Sequence, residues 1–355
     1  MNLKDHLLLR IQNDGPMTIA DYMTDCLMHP EHGYYATRDP LGVQGDFITA
    51  PEISQMFGEL IGLCLAQTWL EQGKPKRFIL AELGPGRGTL MADILRATKG
   101  VPGFNEAAEI ALLEASPVLR DIQLKTLQGY EPQWIEVMTD LADLPLFLVA
   151  NEFFDALPIR QYLRDGESWR ERFVGGDGTS LAFGLGPQAV QTALSERLED
   201  TQDGDLVEHC SGAAPILSTV AGQIARNGGA ALIIDYGDWR SLGDTLQALR
   251  AHETTDPLDQ PGQADLTAHV DFEVLAVAAR ASGCAHTKLT PQGVFLERLG
   301  ITARAQSLAA SLGGTQLEEL IAAHRRLTHP DEMGNLFKVL GLYPQNAVSP
   351  PGLEP

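Results

Sequence analysis

A glycine-rich turn between an apolar run and a helical pattern places the strongest constraint on the fold of this chain. The apolar run 78–83 predicts a buried strand, and 89–97 has the spacing of an amphipathic helix. Between them lie Gly84, Gly86 and Gly88, at alternate positions. Glycine has no Cβ, so the backbone can turn sharply there and approach a ligand closely. The order of strand, glycine turn and helix predicts a Rossmann-like α/β sheet.

The segment 76–343 continues this alternation, which is typical of a parallel sheet with helices on both faces. Further strands are expected at 110–114, 134–138, 146–150 and 229–235, with a helix at 117–127. Two insertions interrupt the pattern, at about 160–228 and 240–335. In the first, strand patterns at 160–163 and 170–173 flank a glycine-containing turn and predict an antiparallel hairpin.

The two ends of the chain differ from this central segment. Residues 1–75 have helical patterns around one loop and predict an N-terminal helical extension. The proline-rich tail 344–355 is expected to be flexible. Residues 1–14 lack the uninterrupted apolar stretch of a secretory signal, so a cytoplasmic location is expected.

Composition excludes several classes of function. The 47 acidic and 26 basic residues give a net charge of −21, which repels phosphate backbones and argues against nucleic acid as a partner. No apolar run approaches the roughly 20 residues of a membrane span. The four cysteines are far apart and form no C-x-x-C pair, so neither a disulfide scaffold nor a bound metal is expected.

The spacing around the glycine turn indicates the type of cofactor. Dinucleotide-binding loops normally read G-x-G-x-x-G, whereas here the third glycine is Gly88 and Glu82 precedes the first glycine by two residues. A carboxylate repels a pyrophosphate but can pair with an ammonium group. S-adenosylmethionine carries an α-amino group where a dinucleotide carries pyrophosphate. We therefore expect S-adenosylmethionine to bind at Glu82, Gly84, Gly86 and Gly88.

Polar residues at the ends of the following strands extend this predicted cofactor site. Glu114 ends the second strand, where an acid accepts hydrogen bonds from both ribose hydroxyls of an adenosine ligand. Asp140 follows the third strand and is expected near the adenine, and Asn151 ends the fourth. In a doubly wound sheet the carboxyl ends of the strands line the ligand crevice.

Two acids after the fourth strand, Glu152 and Asp155, are the candidate catalytic residues. Carboxylates bind the planar guanidinium group and can leave one nitrogen lone pair directed at a methyl carbon. Methyl transfer would then depend mostly on positioning. The alternative is that Asn151 and Asp155 cap a helix while Glu152 is solvated. Asp235 at the end of a late strand is expected to be structural.

Several stretches resemble the bacterial and mitochondrial proteins related to the complex I assembly arginine methyltransferase. The resemblance extends from about residue 15 to 340, and the matching stretches are 45–59, 82–88, 151–158, 234–237 and 264–272. The first and third of these are long enough to be specific. The last contains His269 and Asp271, to which the residue types alone assign no role.

The resemblance implies a class I methyltransferase fold with an N-terminal helical extension and an inserted α+β segment. It implies symmetric dimethylation of an arginine on a peripheral-arm subunit of respiratory complex I. It also implies that the loop with Asp46 and Thr49 closes over the cofactor. Two alternatives stay open: a methyltransferase acting on small molecules, and an assembly chaperone that binds S-adenosylmethionine without turnover. The oligomeric state also stays open, with a homodimer as one option.

Overall fold

The structure is a computed structural model that describes residues 2–37 and 49–355. The helices of these residues are α1 (Leu3–Asp14), α2 (Ile19–Met28), α3 (Tyr34–Thr37), α4 (Ala50–Ile53), α5 (Gln55–Glu71), α6 (Thr89–Thr98), α7 (Phe104–Ala107), α8 (Pro117–Thr126), α9 (Ala213–Asn227), α10 (Phe272–Ala281), α11 (Gln292–Arg298), α12 (Ile301–Ala309) and α13 (Thr315–Thr328).

The strands of the described residues are β1 (Met17–Thr18), β2 (Phe78–Leu83), β3 (Ala108–Leu113), β4 (Gln133–Ile135), β5 (Leu146–Asn151), β6 (Arg160–Asp165), β7 (Ser168–Gly176), β8 (Leu181–Ala189), β9 (Leu206–His209), β10 (Gly229–Asp238), β11 (Gln247–Arg250), β12 (Glu253–Thr255), β13 (Asp265–Thr267), β14 (Val270–Asp271), β15 (Cys284–His286), β16 (Thr290–Pro291) and β17 (Phe337–Pro344). Short turns of 3-10 helix occur at Met138–Asp140, Thr192–Leu194 and Glu196–Leu198.

The described residues group into two compact units. The sheet unit contains 49–154, 214–239 and 270–355, and the insertion unit contains 2–37, 155–213 and 240–269. From sequence we had grouped 1–75 as one extension. In the structure, residues up to 37 pack with the insertions, whereas α4 and α5 belong to the sheet unit. One long-range contact that produces this division is the pairing of β1 with β7. The sequence did not predict it, because a strand of two residues has no detectable periodicity.

The large sheet of the sheet unit confirms the predicted α/β fold. Its strands lie in the order β15-β17-β10-β5-β2-β3-β4. The pairs from β10 through β5, β2 and β3 to β4 are parallel, and β17 is antiparallel to β10. The chain moves outward from β2 through β3 and β4 and then returns to the other side of β2 at β5. Ligands bind outside the carboxyl ends of the strands at such a reversal.

The packing of α5 against α6 supports the helix that follows the glycine turn. Two glycines of α5 allow the close approach: a Cβ on Gly58 would lie 2.5 Å from Asp93 Cβ, and one on Gly62 would lie 2.9 Å from Ile94 Cα. The core around them is apolar and includes Phe78 and other fully buried residues of β2, β5 and β10. None of the helices in the described part of the chain combines the length and apolar character of a membrane crossing.

The insertion unit is built on antiparallel strands. One sheet has the order β1-β7-β6-β9, with β8 paired to β7, and a smaller sheet has the order β12-β11-β13. The predicted hairpin is present, since β6 and β7 pair with Leu163 opposite Arg170. The inserted segment 160–228 contains these strands together with helix α9, so it is α+β, as expected.

The C-terminal residues 344–355 differ from the flexible tail that we expected. Leu353 is 6% exposed and belongs to the core of the sheet unit. The backbone oxygen of Glu354 accepts a hydrogen bond from Lys288 N at 2.7 Å, and its carboxylate forms an ion pair with Arg298 Nη2 at 2.6 Å. Gly352, with a φ of +83°, makes the turn that directs Leu353 inward. The prolines of this segment shape a packed turn, which composition alone could not distinguish from a loose tail.

Candidate functional site

The glycine turn leaves the carboxyl end of β2 at the reversal of strand order. Gly84 N donates to Leu113 O at 3.0 Å, and Gly88 N donates to Pro85 O at 2.7 Å. Gly84, Gly86 and Gly88 have φ values of +63°, +52° and +80°. Residues with a Cβ rarely adopt this left-handed region, so the turn requires glycine at all three positions. Gly88 is also the N-cap of α6, whose first backbone N–H groups are directed into the turn.

Glu82 lies on β2 just before this turn and is almost completely buried, at 3% exposure. Its Oε2 atom has no hydrogen-bond partner among the described residues. Burial, with a smaller contribution from the negative charge of Glu114, raises the pKa of the carboxyl to about 8, and a hydrogen bond from the backbone of Met91 opposes this rise. A buried acid with an unused oxygen is costly unless a ligand supplies a donor.

Glu114 follows β3 and is held from several sides. Its Oε1 accepts from Ser116 N at 2.8 Å and its Oε2 from Gln123 Nε2 at 3.2 Å. Arg120 Nε and Nη2 donate to the backbone oxygen of Glu114 at 2.8 and 2.5 Å. Burial raises the pKa of the Glu114 carboxyl, and the hydrogen bonds from Ser116 and Gln123 and the positive charge of Arg120 oppose that rise. A carboxylate has about four acceptor sites, so Glu114 still has capacity for the two ribose hydroxyls.

Gln123 is a site residue that the sequence analysis missed. It is fully buried on α8, and its Nε2 donates to Gly86 O at 2.7 Å as well as to Glu114. Its Oε1 accepts from Trp134 Nε1 at 2.7 Å. Gln123 therefore ties the glycine turn to Glu114 and to β4. The available signal was a polar residue within the buried stripe of α8, four residues after Leu119.

Asp140 lies beyond β4 and is exposed. Its Oδ2 accepts from Val137 N at 3.3 Å and from Glu136 N at 3.4 Å, so the side chain supports the 3-10 turn that contains it. Contact of Asp140 with adenine stays a prediction.

The end of β5 presents Asn151 and Glu152 at the same edge of the sheet. Glu152 has a φ of +52°, which is uncommon for a residue with a side chain. Its Oε1 accepts from Ala50 N at 3.2 Å and from Asn151 Nδ2 at 3.0 Å. Asn151 is 7% exposed, and its Oδ1 has no partner among the described residues. Such a left-handed backbone at a strand end is a form of strain that clusters at functional sites.

The alternative in which Asn151 and Asp155 cap a helix is wrong. Residues 152–159 form a turn and contain no helix. Asp155 belongs to the insertion unit, where it is 4% exposed and its backbone oxygen accepts from Ala268 N at 3.0 Å. Its charge contributes to the raised pKa of Tyr35, after burial and the charge of Asp265. The joint action of Glu152 and Asp155 as a clamp stays a prediction.

Helix α4 contributes a residue that the sequence analysis also missed. Glu52 Oε1 accepts from Thr89 Oγ1 at 2.5 Å, and its Oε2 lies 3.9 Å from Arg87 Nη1. Both partners belong to the glycine turn and the start of α6, so Glu52 holds α4 beside the turn. Thr49, a predicted cofactor residue, is the N-cap of α4, and its backbone oxygen accepts from Glu52 N at 2.9 Å. Asp46 lies outside the described residues.

These features fit S-adenosylmethionine. Glu82 Oε2 is a buried acceptor to which none of the described residues donates, and an ammonium group supplies a donor. A side chain at Gly84 would crowd the Phe153 ring, since a Cβ there would lie 3.0 Å from Phe153 Cδ2. Glu114, with its remaining acceptor sites, suits a ribose. Glu82, the glycine turn, Glu114 and Asn151 would hold the cofactor along one edge of the sheet.

Comparison with known proteins gives the same result. Residues 60–290 match the model of an S-adenosyl-L-methionine-dependent methyltransferase family. The protein arginine methyltransferase NDUFAF7, mitochondrial, of Xenopus tropicalis is 38% identical over 97% of this chain and 86% of its own length. The Homo sapiens protein of that name is 37% identical over 96% of this chain and 82% of its own length.

A solved structure extends the similarity to the whole fold. A Burkholderia thailandensis protein crystallised with S-adenosyl-homocysteine is 27% identical, with a TM-score of 0.81 over 96% of this chain and 91% of that chain. The family model covers more than half of the chain, and the relatives are similar over almost all of it. The chain belongs to this family of S-adenosyl-L-methionine-dependent methyltransferases.

Proposed function

We propose that this methyltransferase acts on an arginine side chain of a protein. The observation that carries the proposal is Glu152, a half-buried acid in a left-handed backbone at the carboxyl end of β5. That end lies at the reversal of strand order, beside the glycine turn at the end of β2. The curated relatives, at 35–38% identity, carry the name protein arginine methyltransferase.

The charge of Glu152 suits this acceptor. A carboxylate binds a guanidinium group through two parallel hydrogen bonds, which fixes the plane of the group. The bound cofactor supplies a methyl group on a positively charged sulfur, which leaves as a neutral thioether. The arginine nitrogen forms the new bond to carbon and releases one proton, which the Glu152 carboxylate can accept and pass to water. Asn151 Oδ1, a buried acceptor beside Glu152, can orient one N–H donor of the guanidinium group.

The acceptor protein is the finer part of the proposal. The resemblance in the sequence favours a peripheral-arm subunit of respiratory complex I, modified to symmetric dimethylarginine. A cytoplasmic site of action and a homodimer stay predictions.

The test is methyl transfer from isotope-labelled S-adenosylmethionine to a purified bacterial peripheral arm of complex I. Mass spectrometry locates the label, and an arginine-to-lysine variant of the labelled position should remove it. Glu152→Gln removes the charge that binds guanidinium and should lower kcat/KM for the acceptor by about 100-fold or more. Glu131→Gln, at an exposed acid of the same unit, is the matched control.

The other outcomes identify the alternatives. Label on a small molecule but on no arginine would point to a small-molecule methyltransferase. Binding of S-adenosylhomocysteine without transfer to any component of the arm would point to a chaperone that holds the cofactor. Full activity of Glu152→Gln would show that this acid does not bind the acceptor.

A further inference from the structure

Asp235, expected from sequence to be structural, is a completely buried carboxylate near the carboxyl end of β10. Its Oδ2 accepts from Phe153 N at 3.2 Å and from Phe154 N at 3.0 Å. Its Oδ1 accepts from Tyr236 N at 3.0 Å. Three backbone N–H groups thus face the two oxygens of one side chain. Burial of a carboxylate is unfavourable unless such donors compensate it.

Two of these N–H groups belong to the turn that leaves β5. The residue before them is Glu152, whose φ is +52° and whose own N donates to Ile234 O at 2.9 Å. Three consecutive residues of this turn therefore donate hydrogen bonds to β10: Glu152 to the strand backbone, and Phe153 and Phe154 to the Asp235 side chain. A left-handed backbone persists only where its surroundings determine it. The hydrogen bonds to Asp235 are part of the surroundings that hold Glu152 in this conformation.

The same turn reaches the glycine turn through Phe153. The ring of Phe153 leaves only 3.0 Å between its Cδ2 and the position of a Cβ on Gly84. Phe154 is 3% exposed and meets the Phe153 ring edge to face, with centroids 5.2 Å apart. By holding both amides, Asp235 sets the place of the Phe153 ring as well as that of the Glu152 carboxylate.

We propose that Asp235 is a positioning residue for methyl transfer, which holds the turn of Glu152 and Phe153 at the cofactor edge. It acts through these residues and does not touch the reacting atoms. The inference rests on the proposed function in one respect, the role of Glu152 toward the acceptor.

The substitution Asp235→Asn tests this role, because it keeps the shape of the side chain but removes one of its two acceptor oxygens. An asparagine of the same shape has one acceptor oxygen and one donor NH2 group. Because donors face both oxygens of Asp235, Asp235→Asn can satisfy one side and must place its NH2 against an N–H on the other. The turn should therefore loosen, while the overall volume of the side chain is kept.

The experiment combines amide exchange with kinetics on the full chain. In Asp235→Asn, the amides of Phe153 and Phe154 should exchange with deuterium faster than in the parent protein. The value of kcat for arginine methylation should fall by about 100-fold, since small misplacements of reacting groups cost that much. The Kd of S-adenosylhomocysteine should change by less than about threefold, a difference of under ~1 kcal/mol. Asp238→Asn, at an exposed acid of the same strand, is the matched control and should leave the amide exchange rates, kcat and Kd unchanged.

The outcomes separate this inference from the proposed function. Loss of protection at the two amides with an unchanged kcat would overturn the positioning role, and so would unchanged protection. Equal losses in thermal stability, cofactor affinity and kcat would mean a purely structural role. Asp235→Ser provides a second variant if Asp235→Asn does not fold. If the parent protein transfers no methyl group to arginine, the proposed function fails, and the exchange data still decide whether Asp235 holds the turn.

Discussion

At the scale of single residues, two acids of the predicted cofactor site have opposite surroundings. Glu82 is buried with an oxygen that has no partner among the described residues, whereas Glu114 is half-buried and accepts from Ser116 and Gln123. The first therefore has a pKa of about 8, and the pKa of the second is also raised by burial but opposed by its donors. A carboxyl with a pKa near neutrality links the binding of a cation to pH.

The affinity for S-adenosylhomocysteine is expected to rise with pH up to about 8, where Glu82 ionises. The ammonium group of the ligand pairs with the ionised carboxylate, so a protonated Glu82 must first lose its proton. Below the pKa, each pH unit should therefore weaken binding by about tenfold, equal to 1.36 kcal/mol. Calorimetric titration at several pH values measures this slope. Glu82→Gln should bind weakly with no slope, and a variant that keeps the slope would contradict the assignment.

Which residues could be predicted from sequence depended on whether their role was local. Glu82 and Gly84 lie within one strand and turn, so their spacing was informative. Gln123 and Asp235 act on residues far along the chain: Gln123 on Gly86, and Asp235 on Phe153. Only the folded sheet brings these partners together. A buried polar residue in an apolar stripe was the available hint, without any indication of its partner.

At the scale of elements, the approach of α5 to α6 fixes the helix that begins at the glycine turn. Gly62 allows the contact, since a Cβ there would lie 2.9 Å from Ile94 Cα, a backbone atom that cannot move alone. Glu59 on α5 adds an ion pair with Arg96 on α6 at 2.7 Å. The strands β2 and β5 were predictable from the runs 78–83 and 146–150. The partner of α5 was not, because a mostly apolar helix shows no preferred face.

Gly62→Ala is expected to lower the free energy of unfolding. Overpacking costs about 1–3 kcal/mol, and the better helix propensity of alanine returns up to about 1 kcal/mol. Urea unfolding measures the difference. Gly222→Ala in α9 is the matched control, because its Cβ would meet only the end of the Arg226 side chain, at 3.3 Å, and it should be neutral or stabilising. Equal effects of the two substitutions would show that the α5–α6 contact is not tight.

At the scale of the whole molecule, the chain is built from a sheet unit and an insertion unit whose segments interleave in sequence. The predicted cofactor residues of the described chain, from Thr49 to Asn151, all belong to the sheet unit. Asp155 belongs to the insertion unit. Periodicity predicted the alternating strands of the first unit. It could not assign residues 2–37 to the second, because that assignment depends on the pairing of β1 with β7 and on packing between distant segments.

Ligand binding should stabilise the folded protein, because the predicted cofactor residues are far apart in the chain and come together only when the sheet unit is folded. S-adenosylhomocysteine at 100 times its Kd should add about 2.7 kcal/mol to the free energy of unfolding, and NADH should add nothing. Gly86→Val should abolish this gain, since valine is strained at a φ of +52° and relief of that strain would distort the glycine turn. Gly129→Val introduces comparable strain at a φ of +94°, where a Cβ would meet no atom of the described residues within 4 Å. Thermal unfolding with and without ligand therefore separates backbone strain, which lowers Tm in both variants, from loss of the site, which removes the ligand-induced rise only in Gly86→Val. A ligand-induced rise that persists in Gly86→Val would place the cofactor away from this turn.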